Sequence, residues 1–318
     1  MTGTSESFCG PSSTHYYPAA QQFPRILYIF ACVIIVLGSV TATLGNIIIL
    51  IALRKCQSLH SPSKALLCSL ALTDLIAGLC VMPLFTVYYL TITLEMSSYY
   101  CAIAVTYGRM ASFVVGASLT TITTISIDRY LAFHLLLRYR ELVTVKRVVS
   151  VLVIEWILAA FWTGSWFWSP KINVLTGSIV LFSSLLITSL CYINIYRGLH
   201  RHVAQVHRQK KDNEAGEFNV IQYKRSVNNM LWIYVVFLVC YDPTFSSQLT
   251  IVVLGLNNAT RFALHFVAIA VYLNSSLNPF LYCWRIKELK ENVLTNLRFI
   301  YHFLCHTGWL IIFPFLMA

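Results

Sequence analysis

Long runs without charge dominate the pattern of hydrophobic and polar positions. From Met110 to Ile127 the chain runs for eighteen residues without a charged side chain. At 1.5 Å per residue such a helix spans about 27 Å, close to the roughly 30 Å hydrocarbon core of a bilayer. The run therefore predicts a membrane helix. The triplet Asp128-Arg129-Tyr130 follows where this helix leaves the lipid.

Six further apolar runs have similar length, and together they predict seven membrane helices. The approximate bounds of the seven predicted helices are residues 26–53, 62–90, 101–140, 148–168, 174–199, 226–256 and 262–284. We predict an all-α integral membrane protein, a seven-transmembrane helix bundle with a short amphipathic eighth helix. The predicted organisation is an extracellular N-terminal tail (1–25), the bundle (26–285), an amphipathic membrane-surface helix (286–298) and a hydrophobic C-terminal tail (299–318). For residues 299–318 two interpretations remain: a further membrane span, or an atypical C-terminal end.

Composition and charge agree with this class. The chain is 58% hydrophobic and 11% charged, with a mean hydropathy of +0.69, which argues against a soluble domain. Of the 23 Lys and Arg residues, all but Arg25, Arg109, Lys171 and Arg261 lie in segments predicted to face one side. This asymmetry predicts a multi-pass membrane protein with its N-terminus outside and its C-terminus inside. Nucleic-acid binding is not expected, because the basic residues are divided among short loops.

Asp74, in the second predicted helix, carries the clearest chemical signal. A carboxylate at mid-membrane depth is costly and marks an ion, proton or ligand site. A transporter or channel using Asp74 as an ion site is the alternative function, although the halves of the chain show no internal repeat. Glu155 and Asp242 are the other deep acids. The chain has no clustered nucleophile and no clustered metal-ligand set, so we do not expect an enzyme.

Motifs in order along the helices complete the pattern. They are Gly45-Asn46, Leu70-Ala71-Leu72-Thr73-Asp74, Asp128-Arg129-Tyr130, Trp156, Tyr196, Phe237, Pro243 and Asn278-Pro279-Phe280-Leu281-Tyr282. From about residue 30 to 298 the chain resembles the rhodopsin-like (class A) G-protein-coupled receptors. Its pattern is most similar to the melanocortin, cannabinoid, adenosine and lysophospholipid receptor group, since the fifth helix lacks a Pro and the preceding loop is short and cysteine-free. Trp162, Trp166 and Trp168 are expected to form an aromatic belt at the membrane surface.

The resemblance implies a plasma-membrane receptor that binds an extracellular ligand and activates a heterotrimeric G protein as the sixth helix moves outward. The implied coupling and switch residues are Asp128, Arg129, Tyr130, Tyr196, Asn278, Pro279, Tyr282, Phe237 and Pro243. An allosteric Na⁺ is the one cofactor implied, at Asp74, Ser118, Asn274 and Asn278. A protonated Asp74 bonded to Asn278 is the alternative. No acid stands at Tyr223-Lys224-Arg225, where some relatives lock the Arg, so basal signalling is expected.

The resemblance leaves the ligand an unidentified small molecule, lipid or peptide. Ala111 stands where amine receptors have an Asp. The expected ligand pocket is lined by Tyr107, Ala111, Tyr241, Asp242, Gln248 and Tyr272. Asp242 either faces this cavity or turns towards a neighbouring helix, and the resemblance slightly favours the second orientation.

Two expectations concern covalent chemistry on the outer side. Cys9 is the partner considered for Cys101 in a disulfide, with two free cysteines as the alternative. Asn258 lies in a glycosylation sequon within a predicted outer loop. The remaining expected partners are membrane lipids.

Overall fold

A computed structural model describes residues 25–57, 59–94, 96–135, 138–165, 170–209, 234–250 and 258–306, and these contain helices but no β-strand. The helices are α1 (Arg25–Lys55), α2 (Ser61–Ile76), α3 (Met82–Thr93), α4 (Ser97–Leu135), α5 (Tyr139–Leu142), α6 (Val145–Gly164), α7 (Pro170–Gln209), α8 (residues 234–250), α9 (Asn258–Arg285) and α10 (Lys287–His306). We call the end of the bundle that carries Arg129 the inner end, and the opposite end the outer end.

Among the described residues, five helical stretches are long and apolar enough to cross a membrane: Arg25–Lys55, Ser61–Thr93, Tyr99–Leu135, Leu175–Arg201 and Phe266–Trp284. The fourth and sixth predicted spans correspond to α6 and to α8. Large apolar side chains cover the outside of the bundle, among them Phe30, Ile157 and Phe161, each more than 60% exposed. Such a surface matches a lipid environment and not water.

The second predicted span is one helix with a π-helical turn inside it. Ala77–Val81 form this turn between α2 and α3, and Pro83 stands in the first turn of α3. Proline has no N–H to donate, so the regular ladder is interrupted here. The Ser39 hydroxyl of α1 donates to the Gly78 carbonyl at 2.7 Å. A neighbouring helix thus satisfies a carbonyl in the irregular turn.

Small residues let α1 approach its neighbours closely. A Cβ on Gly45 would lie 2.8 Å from Cγ of Pro279 in α9, and one on Gly78 would lie 2.9 Å from the Thr43 nitrogen of α1. Beside Gly45, the amide of Asn46 donates to the carbonyls of Ala42 (2.8 Å) and Ser275 (3.2 Å). The Gly-Asn pair of α1 therefore fixes its contact with α9.

Two predicted boundaries differ from the structure. The amphipathic helix was expected at residues 286–298, but α10 continues to His306, because residues 299–306 contain neither Gly nor Pro. The sequon at Asn258 was expected in a loop, yet Asn258 is the first residue of α9. Residues 1–24 and 307–318, most of the two predicted tails, lie outside the described residues, as does Tyr223.

Buried side chains form two main clusters along the bundle. The inner one joins Leu70, Leu119, Phe237, Tyr241 and Tyr282. The outer one is rich in tyrosine and contains Tyr28, Phe85, Tyr89, Tyr100 and Tyr272. Phe237, Tyr241 and Tyr282 of the predicted site belong to the inner cluster, whereas Tyr107, Ala111 and Tyr272 belong to or pack against the outer one.

Candidate functional site

An ion pair at the inner end of α4 connects the first two residues of the Asp-Arg-Tyr triplet. Nη2 of Arg129 lies 3.1 Å from Oδ2 of Asp128, whose side chain is 3% exposed. The Tyr139 hydroxyl donates to Oδ1 at 2.6 Å, and the Ser63 hydroxyl donates to Oδ2 at 3.2 Å. The carboxylate is thereby held by α2 and α5 while it holds Arg129 against its own helix.

Tyr139 is a functional candidate that the motif analysis missed. Burial raises its pKa to about 12, and the hydrogen bond to Asp128 acts in the same direction. The phenol therefore remains a neutral donor at physiological pH. Its ring lies 5.6 Å from that of His60. The sequence shows a tyrosine eleven residues after Asp128. This spacing alone does not predict a hydrogen bond between them, because the two residues meet only if the chain between them folds back onto α4.

Two tyrosines of the implied switch set, Tyr130 and Tyr196, make contacts with residues of α7 in this structure. Tyr130 packs with Ile195 and Leu199 of α7. Tyr196 is exposed, and its hydroxyl lies 3.0 Å from Nε2 of His200. In this structure Tyr196 is thus engaged by its own helix, one turn along.

A small cavity lies between the helices at the depth of the inner cluster. Its volume is about 30 Å³, and its lining includes Ile122, Tyr192, Phe237, Asn274, Asn278 and Tyr282. This is room for one or two water molecules. The cavity brings together four predicted site residues: Phe237 of α8, and Asn274, Asn278 and Tyr282 of α9.

Asp74 lies beside this cavity and is completely buried. Nδ2 of Asn278 donates to its Oδ2 at 2.7 Å. Ser275 is a further neighbour of the carboxylate, but Oδ1 has no partner at hydrogen-bond geometry. Ser118 and Asn274 are also buried, and Tyr241 lies near both Ser118 and Asp74.

These residues fit a sodium ion. A carboxylate with an unsatisfied oxygen, a hydroxyl and amide oxygens are hard oxygen donors of the kind that such cations prefer. The Asn278–Asp74 bond is equally compatible with a protonated carboxyl. Sodium therefore remains an expectation.

Aromatic contacts close the outer half of the bundle, where the ligand pocket was expected. The hydroxyls of Tyr107 and Tyr272 lie 2.8 Å apart. The Phe85 ring lies 5.2 Å from the first and 5.5 Å from the second. Ala111 packs against the same cluster. Four side chains from three helices thus meet there.

The three expected pocket residues of α8 differ in their surroundings: Tyr241 and Gln248 make contacts within the bundle, whereas Asp242 is exposed. Tyr241 is buried against Phe237, with ring centroids 4.7 Å apart, and Gln248 accepts a hydrogen bond from Ser178 of α7 at 3.0 Å. The exposure of Asp242 fits the orientation away from the cavity, the alternative that the resemblance favoured. Phe237 and Tyr241 of α8 face the inner cluster, and Asp242, about 100° further round the helix than Tyr241, lies on the exposed side.

Two further residues extend the site beyond the motifs. Oε1 of Glu155, whose role the sequence left open, accepts a hydrogen bond from the Thr124 hydroxyl. Cys101 is disulfide-bonded. Cys9 lies outside the described residues, so its pairing with Cys101 stays a prediction.

Known proteins with similar sequences identify the family. A sequence model described as "7 transmembrane receptor (rhodopsin family)" matches residues 45–167 and 159–282. The chain belongs to this family. The members are receptors and not enzymes, and they are multi-pass membrane proteins.

The sequence identity to individual receptors of the family is low. The histamine H2 receptor of Canis lupus familiaris is 26% identical over 306 residues, covering 88% of this chain and 79% of the relative. The adenosine receptor A3 of Ovis aries is 23% identical, covering 83% and 88%. The human melanocortin receptor 5 is 28% identical, covering 79% of each. These names span different ligand classes at similar identity.

Proposed function

We propose that this rhodopsin-family receptor resides in the plasma membrane, binds an extracellular ligand and activates a heterotrimeric G protein. The observation that carries the proposal is the restrained Arg129: Asp128 holds it, and Tyr139 and Ser63 hold Asp128. A buried carboxylate with three partners is a strong local restraint. Release of Arg129 supplies a charged donor at the inner end.

Activation proceeds by outward movement of α8, which widens the inner cavity. At about 30 Å³ this cavity is far too small for a helix of the G protein, so the bundle must open there. The inner part of α8 is held by the Tyr234 hydroxyl, which donates to Ser189 of α7 at 2.6 Å. The Tyr234 ring also stacks on Tyr192 at 4.9 Å. Outward movement of α8 must break these contacts of Tyr234. The Tyr196 hydroxyl must also lose its contact with His200 before it can approach Arg129.

Basal nucleotide exchange tests the proposal without a ligand. The purified receptor in lipid vesicles is expected to accelerate nucleotide exchange on a G protein, and Arg129→Ala is expected to abolish this acceleration at normal expression. Arg138→Ala is the matched control, because Arg138 is an exposed residue of the same inner end. Normal exchange by Arg129→Ala would refute the mechanism. The transporter or channel alternative instead requires ion flux in receptor-containing vesicles.

We also propose that Asp74, Ser118, Asn274 and Asn278 hold a sodium ion that favours the resting receptor. The unsatisfied Oδ1 of Asp74 supports this proposal, since a bound cation compensates a buried charge. Sodium is expected to lower basal exchange of the parent, with lithium and choline as salt controls. Asp74→Asn should lose this sodium dependence. Retained dependence would favour a protonated Asp74 bonded to Asn278.

The ligand class is left as a small molecule, lipid or peptide. Histamine and other amines are not favoured, because Ala111 offers no carboxylate. The pocket is proposed at Tyr107, Ala111, Tyr241, Gln248 and Tyr272. A ligand there must separate the Tyr107 and Tyr272 hydroxyls. Screening amines, peptides, nucleosides and lipids on the parent and Tyr272→Phe identifies ligands that use this contact.

A further inference from the structure

A regular stripe of exposed residues runs along α8, and we call it the heptad stripe. It consists of Val235, Val239, Asp242, Ser246 and Leu249, all exposed. Their spacing alternates between four and three residues, the spacing that keeps side chains on the face a helix presents to a partner helix. At 1.5 Å per residue the stripe is about 21 Å long. It covers most of the thickness of a bilayer core.

The rest of α8 is already used for packing within the bundle. Phe237, Cys240 and Tyr241 are buried in the inner cluster. Phe245 stacks on Phe182 of α7 at 5.6 Å, and Gln248 bonds to Ser178 of the same helix. The heptad stripe is therefore on the lipid-facing side of α8, next to α7.

Asp242 places a carboxylate in the middle of this stripe. The adjacent Tyr241 lies near Ser118 and the membrane-buried Asp74, so Asp242 is at a similar depth. Within the described residues it forms neither an ion pair nor a hydrogen bond. A carboxylate facing lipid at that depth is costly, and acidic residues in membrane helices almost always face a protein partner or water.

We propose that the heptad stripe docks a transmembrane helix of another protein, with a Lys or Arg of that helix paired to Asp242. The length and periodicity of the stripe fit a helix, whereas a small amine would cover only the carboxylate. Ser246, one turn from Asp242, allows close helix approach and can donate a hydrogen bond. A second copy of the chain fits less well, because the Lys and Arg residues of its described spans lie towards the helix ends.

Synthetic membrane helices test this without knowledge of the natural partner. Energy transfer is measured in phosphatidylcholine vesicles between labelled receptor and labelled Leu/Ala peptides of about 20 residues, with either Lys or Leu at the centre. The parent is expected to bind the Lys peptide at least tenfold more tightly than the Leu peptide. Asp242→Asn should remove that preference. This peptide comparison on the parent stands even if the variant folds poorly.

Steric and positional controls separate docking from a general charge effect. Ser246→Trp should weaken both peptides, whereas Ile157→Trp, a lipid-facing position on α6, should leave both unchanged. The double variant Asp242→Asn/Val239→Asp moves the carboxylate by one turn. It should favour a peptide whose Lys is moved correspondingly.

Two outcomes would overturn the proposal. One is equal binding of the Lys and Leu peptides by the parent. The other is an Asp242-dependent affinity for a long-chain alkylamine together with no measurable binding of either peptide, which would assign Asp242 to a lipid-soluble cation.

Discussion

The Tyr139 hydroxyl offers the sharpest test of how Arg129 is restrained. Tyr139→Phe removes only the donor to Oδ1 of Asp128, a 2.6 Å hydrogen bond, and keeps the ring beside His60. Asp128 retains Ser63 and Arg129 as partners. We therefore expect a receptor that folds normally but releases Arg129 more easily.

The magnitude follows from the geometry. A hydrogen bond to a charged group contributes about 1.5–3 kcal/mol. Asp128 keeps Arg129 and Ser63 as partners after the substitution, so we use the typical net value of about 1 kcal/mol for one hydrogen bond. If the bond is absent from the active state, this amounts to about a fivefold rise in the active fraction. Basal nucleotide exchange should rise by about the same factor while the resting state predominates.

The pH dependence has a definite sign. Since the pKa of Tyr139 is raised to about 12 from near 10 in an unfolded chain, its contribution is fully present below about pH 10. It is lost only as the pH rises through the folded value. The ratio of Tyr139→Phe to parent exchange should thus be constant between about pH 6 and pH 9.

Controls make this prediction specific. Tyr99→Phe, at an exposed outer position, should change nothing. In an Asp128→Asn background the effect of Tyr139→Phe should shrink, because the two residues form one interaction. An unchanged or reduced exchange rate in Tyr139→Phe, with Asp128→Asn elevated, would refute the restraint by Tyr139.

Three further predictions concern packing and covalent structure. Gly45→Ala should lower thermal stability by about 1–3 kcal/mol because its Cβ would lie 2.8 Å from Pro279, whereas Gly108→Ala, with open space around it, should be neutral or stabilising by up to about 1 kcal/mol; equal melting temperatures would contradict this. If Cys9 and Cys101 pair, Cys9→Ser, Cys101→Ser and the double variant should melt at the same lowered temperature, whereas additive losses would exclude the pair. Tyr234→Phe, which loses the bond to Ser189, should raise basal exchange about two- to fivefold, and a decrease would show that this bond belongs to the active state.

The sequence predicted the helices well because bilayer thickness sets their length. Apolar runs of the required size marked the spans, and the ordered motifs indicated the family. Details inside the spans depended on neighbours. Pro83 cannot donate a backbone hydrogen bond, but the π-helical turn at Ala77–Val81 also involves the hydrogen bond from Ser39 of α1, a contact that local sequence does not encode.

The orientation of Tyr241 and Asp242 could not be derived from the sequence. These neighbours point about 100° apart on a helix, and this separation lets both line one wide cavity, just as the neighbours Cys240 and Tyr241 share one buried cluster. Which of the two faces inward depends on how α8 is rotated against α7. Similarly, Tyr139 reaches Asp128 only because the chain between them folds back.

Trp162 shows how an apolar surface signal can conceal a packing role. It was expected in an aromatic belt, but its ring packs against two glycines. A Cβ on Gly116 would come within 3.2 Å of this ring, and a Cβ on Gly177 within 2.7 Å. Its indole N–H donates to the Asn173 carbonyl and the Thr176 hydroxyl. The missing side chains of two glycines, on α4 and α7, thus make room for one large ring from α6. A tryptophan alone is therefore weak evidence for a position at the membrane surface. A tryptophan together with glycines on two other membrane helices is stronger evidence for a contact among three helices.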